Sequence, residues 1–137
     1  MKILFNEHPN KGFQRVGYCS YYGEIFYALE EVCEVTSSCG VPSRTSEFGS
    51  GYDAIVMGFG HTDCGDAGPM PTVNDNNIPL FPILNKEYTG LKQKLEWIKN
   101  MKPTAALTVH HDTEEYSKIT GVPFHRIMWS ANENLFK

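Results

Sequence analysis

The sequence predicts an α/β fold, a Rossmann-like three-layer domain with a mostly parallel sheet of about six strands. Short apolar runs recur along the chain, and between them lie segments whose apolar residues repeat at helical spacing. No Pro/Gly/Ser linker, internal repeat or low-complexity stretch breaks that alternation. At 137 residues, 41% hydrophobic and 20% charged, the chain has the size and composition of one globular domain with one core. That composition excludes a disordered or fibrous chain.

Residues 2–6 open with Ile3-Leu4-Phe5, the apolar run that a strand buried on both faces requires. A polar, glycine-bearing loop is expected over residues 7–20. Ser20 then stands as the N-cap of a helix on which Ile25, Leu29 and Val32 share one face, with Phe26 beside them. Residues 33–37 alternate apolar and polar as a second strand, and Gly40, Pro42 and Ser43 begin a loop that runs to residue 51. Residues 53–58 are the third strand and read as its central, fully buried kind.

Glycine and proline recur too often through residues 58–77 for regular structure to persist, which makes this a long loop at a strand end. Residues 78–84 form the fourth strand, with Pro79 and Pro82 expected at its start or at a bulge. Leu91, Leu95, Ile98 and Met101 then mark a helix that begins near Tyr88 or Thr89 and stops at Pro103. Residues 104–109 are the fifth strand, 113–120 a short helix closed by Gly121 and Pro123, and 124–129 the sixth strand, with Phe124, Ile127, Met128 and Trp129 apolar. Strands alternating with helices imply a parallel sheet joined by right-handed crossovers.

The net charge of −4 provides no basic field, so nucleic acid is not an expected partner. The densest basic run, Lys92, Lys94, Lys99 and Lys102, reads as the solvated face of a helix. The apolar start is too short for a signal peptide or a membrane anchor, so a cytoplasmic protein without a membrane span is expected. Cys19, Cys33, Cys39 and Cys64 form no C-x-x-C pair and are expected as reduced, partly buried thiols.

In an open parallel sheet, ligands bind beyond the carboxyl ends of the strands. That rule selects residues 7–20, 59–77, 85–88 and 110–112, and His8, His61, His110 and His111 fall in or beside them. His61 and His110 are the candidate catalytic residues, because a single strand-end imidazole titrates near neutrality and can act as base or donor toward a sugar. Gly12 and Gly17 precede the first helix, where backbone N–H groups can approach a phosphate or a hydroxyl, although glycines there serve plain turns equally well. Asn85, Lys86 and Glu87, followed by Tyr88, place an amide, a cation, a carboxylate and a phenol together. That set suits a polyhydroxyl ligand and equally a helix entry with Glu87 near the positive end. Tyr18, Tyr21 and Tyr22 offer stacking surfaces or ordinary packing.

No dinucleotide fingerprint, P-loop or G-x-S-x-G elbow is present, and no cofactor is expected. His61-Thr62-Asp63-Cys64 and His110-His111-Asp112 contain metal-ligand types, yet none of the usual ligand spacings occurs. No metal is expected, since adjacent strand histidines face opposite ways and only a bent backbone would bring both to one ion.

From Ile78-Pro79-Leu80-Phe81-Pro82-Ile83-Leu84-Asn85, through Lys102-Pro103-Thr104-Ala105-Ala106-Leu107-Thr108-Val109, to Ser130-Ala131-Asn132-Glu133-Asn134-Leu135-Phe136-Lys137, the chain resembles the N-terminal domain of GT-B glycosyltransferases. The likeness is to the large retaining group with its spore-maturation-like members, and Lys2-Ile3-Leu4-Phe5 fits the first strand of that domain. Asn85-Lys86 stands where many members carry a His-Asp pair. The resemblance implies an acceptor-side half-enzyme whose partners are a nucleotide-sugar, a sugar or other acceptor, and a donor-binding domain supplied by a second polypeptide. Without that domain it implies no transfer. The alternatives are a stand-alone sugar- or nucleotide-binding module and a small metal-dependent hydrolase.

Overall fold

Strands β1 (Lys2–Glu7), β2 (Glu34–Cys39), β3 (Ala54–Gly58), β4 (Leu80–Leu84), β5 (Ala106–Thr108) and β6 (Phe124–Arg126) form one sheet in the order β2-β1-β3-β4-β5-β6. Every neighbouring pair is parallel. The computed structural model describes residues 1–7, 23–39, 42–58, 70–84 and 90–128, with helices α1 (Gly23–Glu30), α2 (Leu91–Met101) and α3 (Thr113–Thr120) and a 3-10 turn at Thr45–Phe48. The expected α/β, Rossmann-like arrangement is the observed one. Only β2 lies beyond β1, so the order is the 2-1-3-4-5 doubly wound type extended by β6 and not the 3-2-1-4-5-6 order of dinucleotide-binding folds.

Side-chain alternation along the strands sends successive residues to opposite faces. Ile3, Phe5, Val56 and Ile83 lie on one face and pack with Phe26 of α1. The Phe5 and Phe26 rings meet edge to face at 5.7 Å. Leu4, Ile55, Met57 and Leu80 take the other face with Met101 of α2, and Leu84 and Ala106 continue it under Leu95 and Ile98 of α2 and Tyr116 of α3. Fully burying a large aliphatic or aromatic side chain contributes about 1.5–3 kcal/mol, so these two faces hold the domain together.

Several elements differ from their expected bounds. α1 ends at Glu30, and the chain turns so that the backbone N–H groups of Val32 and Cys33 both donate to the Leu29 carbonyl. Val32 is therefore 79% exposed and lies off the helix face assigned to it. Ser20, the expected N-cap, lies outside the described residues. Pro79 precedes β4, but Pro82 lies inside it with no break in the β3 pairing. The β4–β5 pairing starts at Ile83, past that proline, so its missing N–H interrupts no recorded rung of the β5 ladder.

β5 and β6 are three residues each, shorter than the sequence suggests. Met128 is 77% exposed beyond the end of β6, and Trp129 lies outside the described residues. α2 and α3 match expectation. Gly90 at the start of α2 and Gly121 at the end of α3 hold left-handed φ values of 64° and 74°, where a Cβ would be strained. Cys33 is a half-buried free thiol, as expected, and its Sγ lies 3.1 Å from the Leu29 carbonyl oxygen.

The segments before β3 and before β4 are tied together by a polar brace. Thr45 is fully buried, and its Oγ1 lies 2.7 Å from Asn76 Oδ1 and 2.9 Å from Asn74 Oδ1. One hydroxyl proton serves one of these acceptors at a time. Asn74 in turn accepts from the Ile78 N–H and donates to the Ile78 carbonyl. Asp75 accepts from the Ser46 hydroxyl at 2.7 Å and from its N–H at 3.0 Å, with the Arg44 guanidinium 3.6 Å away. These donors hold the Asp75 carboxyl below its usual range, the Ser46 hydroxyl first and the Ser46 N–H next.

Candidate functional site

β1 is followed by β2 on one side of the sheet and has β3 on the other. The chain thus reverses its direction of travel at the β1/β3 boundary, and the crevice beyond the carboxyl ends of these two strands is where a sheet of this kind binds ligands. Asn6 is a buried residue of β1 at that boundary. It is 2% exposed, pairs in register with Met57 of β3, and donates from its amide nitrogen to Ser38 Oγ of β2 at 2.9 Å.

The carboxyl end of β5 carries the second polar feature. Thr108 is fully buried, and its Oγ1 accepts the backbone N–H of His110 at 3.2 Å. A hydroxyl that captures the N–H two residues ahead bends the chain. The bend leaves His110 half-buried and His111 and Asp112 exposed. The two histidines thus have unequal environments, and His110 is the less exposed.

α3 begins at once, with Asp112 at its N-cap position and Glu114 and Glu115 in its first turn. His111, Asp112, Thr113, Glu114, Glu115 and Lys118 line an open depression of about 450 Å³. Its carboxylates are acceptors for hydroxyl groups and repel phosphate. Among the described residues, no group of three or more His, Cys, Asp or Glu side chains is placed to hold a metal ion.

The third feature is Lys94. Its placement corrects the reading of Lys92, Lys94, Lys99 and Lys102 as one solvated face: the other three are exposed, and Lys94 is 1% exposed. Its position explains why. Lys94 lies four residues before Ile98 and seven before Met101, on the stripe of α2 that faces the sheet. It engages a partner, as a buried ammonium must. α2 follows the carboxyl end of β4, so its early turns lie toward the ligand-binding edge.

Of the residues selected from sequence, His110 falls at this edge. Gly12, Gly17, His61, Asn85, Lys86 and Glu87 lie outside the described residues, as do His8, Cys64 and Ser130–Lys137 of the closing phrase. In chain order Gly12 and Gly17 follow β1, His61 follows β3 and Asn85 follows β4 directly. Asn6, Thr108 and Lys94 were not selected from sequence. A signal existed for each, since Asn6 and Thr108 are polar residues closing apolar strands and Lys94 occupies an apolar position of the helix repeat.

No family model, curated protein or solved structure matches the chain. No described helix is long and apolar enough to cross a membrane.

Proposed function

We propose that this chain is a glycosyltransferase-like N-terminal domain that holds part of a nucleotide-sugar and its acceptor at the carboxyl edge of the sheet. Sugar transfer requires a donor-binding domain in addition. The observation that carries the reading is the β1/β3 switch point, with buried Asn6 at its rim and half-buried His110 on the same edge. Such an edge provides hydrogen-bonding groups on a rigid scaffold, which suits a polyhydroxyl ligand with a phosphorylated leaving group.

In this reading His110 takes the proton of the acceptor hydroxyl or donates a hydrogen bond to it. His61 and the segment Asn85-Lys86-Glu87 belong to the same edge by chain order, and Gly12 and Gly17 offer backbone N–H groups. The carboxylates near His111 suit hydroxyl recognition.

The test combines the purified chain with a panel of nucleotide-sugars, with and without a GT-B donor-binding domain added as a separate polypeptide, and follows nucleoside diphosphate release. The expected result is binding by the chain and release only with the second domain. His61→Ala is expected to lower release while leaving the fold intact. Binding without release under all conditions would favour a stand-alone sugar- or nucleotide-binding module, and absence of both would remove the nucleotide-sugar reading.

A further inference from the structure

We propose that the chain associates head to tail, the apolar corner at Met1 and Val32 of one copy seating in the groove between α2 and α3 of the next. The inference is independent of the nucleotide-sugar reading, because neither surface includes a residue assigned to that site.

Val32 is 79% exposed and Met1 73%. Single apolar side chains scattered on a surface need no partner, but these two belong to one corner. α1 stops at Glu30, the chain turns back on the Leu29 carbonyl, and the N–H of Glu34, two residues past Val32, donates to the Met1 carbonyl at 3.1 Å. Around the corner stand the exposed carboxylates of Glu30, Glu31, Glu34 and Asp53, against the cations of Lys2 and the Met1 amino group. Lys2 pairs with Glu34 at 3.3 Å, and its backbone N–H donates to Asp53 at 2.7 Å. The corner is therefore apolar at its tip and acidic around it.

The groove has the opposite character. Leu91, Leu95 and Ile119 line it with apolar surface, Lys92, Glu96 and Lys99 stand along it, and its volume is about 550 Å³. Ile119 is 48% exposed there, although Leu91 and Leu95 belong to the core beneath. Lys92 and Lys99 are exposed and make no ion pair among the described residues. Seven residues apart, they share one side of the helix at a rise of about 10.5 Å. Two ammonium groups against the single Glu96 carboxylate leave the groove basic.

Charge complementarity thus selects a second copy of this chain as the occupant. Copies with a net charge of −4 repel one another, but salt at physiological strength screens that repulsion over about 8 Å. At contact, Glu30 and Glu31 of one copy meet Lys92 and Lys99 of the next, and Val32 and Met1 leave water against Leu91 and Ile119. α1 packs on one face of the sheet and α2 on the other, so the contact joins two different surfaces. Such a heterologous contact leaves one corner and one groove free in every pair, and it adds further copies unless a ring closes.

The experiment is sedimentation velocity of the untagged full chain across the micromolar to millimolar range, at low and high salt. Wild type is compared with Val32→Asp, with the groove variant Lys92→Glu/Lys99→Glu, and with Lys102→Glu/Lys118→Glu, which makes the same charge change outside the groove. Thermal unfolding is recorded for each. The expected result is concentration-dependent association that high salt weakens, reduced about tenfold or more in affinity by Val32→Asp and by the groove variant and retained by the control. An equimolar mixture of Val32→Asp, which keeps its groove, and the groove variant, which keeps its corner, is expected to form a one-to-one dimer and nothing larger. Wild type that stays monomeric throughout would overturn the proposal, as would a mixture that does not pair. Association kept by Val32→Asp and lost in the groove variant would identify a groove-to-groove pair and overturn the docking of the corner. Equal weakening in the control would show a general charge effect and remove the groove from the contact.

Discussion

Among the described residues, and apart from Thr120 in the last turn of α3, buried polar groups fall in two places, and the two are built differently. In the Thr45 brace, side chains are satisfied by neighbours of the same chain: hydroxyl to amide, amide to backbone, carboxylate to Ser46 and Arg44. It joins two crossover segments, and its cation, Arg44, faces the Asp75 carboxylate. At the carboxyl edge, Asn6, Thr108 and Lys94 are spread across four strands and a helix, in the place where a doubly wound sheet binds small molecules. The brace offsets the cost of leaving regular structure between strands.

Substitutions separate the two. The largest effect is expected at the edge: with the donor-binding domain present, His110→Ala lowers nucleoside diphosphate release by about a hundredfold, the usual minimum for a lost general base. Its unfolding midpoint in denaturant stays at the wild-type value. Unchanged release would remove His110 from the chemistry.

The brace responds in the opposite way. Thr45→Val removes the buried hydroxyl that donates to the Asn74 and Asn76 amide oxygens and is expected to lower stability by about 1.5 kcal/mol in urea unfolding. Nucleotide affinity is expected to stay constant, and a parallel loss of affinity would merge the two regions into one functional unit. Trp97→Phe is smaller. It removes the indole N–H that donates to the Pro71 carbonyl at 2.8 Å and is expected to cost about 1 kcal/mol by the same measurement.

The smallest effect is a pH dependence. The Asp75 carboxyl titrates below its usual value because Ser46 donates to its ionised form. A carboxylate depressed in the folded state contributes stability that is complete above its unfolded pKa, about 4, and is lost as pH falls through the folded value. Asp75→Asn is therefore expected to flatten the acid side of the stability profile below about pH 4 and to leave its slope near neutrality unchanged. An acid limb identical to wild type would show that the ion pair and the Ser46 bonds contribute nothing measurable.

Much of this architecture could be read from the residues. Leu91, Leu95, Ile98 and Met101 mark the body and end of α2, because four apolar positions at helical spacing ending before a proline leave little choice, although its first residue is Leu91 and not Tyr88 or Thr89. Thr113–Thr120 was equally clear from Gly121 and Pro123. Val32 was misplaced because spacing alone continues a helix past the point where the chain turns back on the Leu29 carbonyl. At the site, His110 was visible as a strand-end imidazole. Its difference from His111 was not, since it depends on the Thr108 hydroxyl bending the chain.

Sequence by itself determined the α/β class, the alternation of strand and helix, and which end of each strand leads into the crossover loops, because all three follow from local periodicity and chain direction. Tertiary structure alone decided the strand order, and with it the location of the switch point at β1/β3. It also decided that one lysine of a basic run points inward. A residue's period says which neighbours share its face, but burial depends on what the rest of the chain brings against that face. For Lys94 the answer is the sheet.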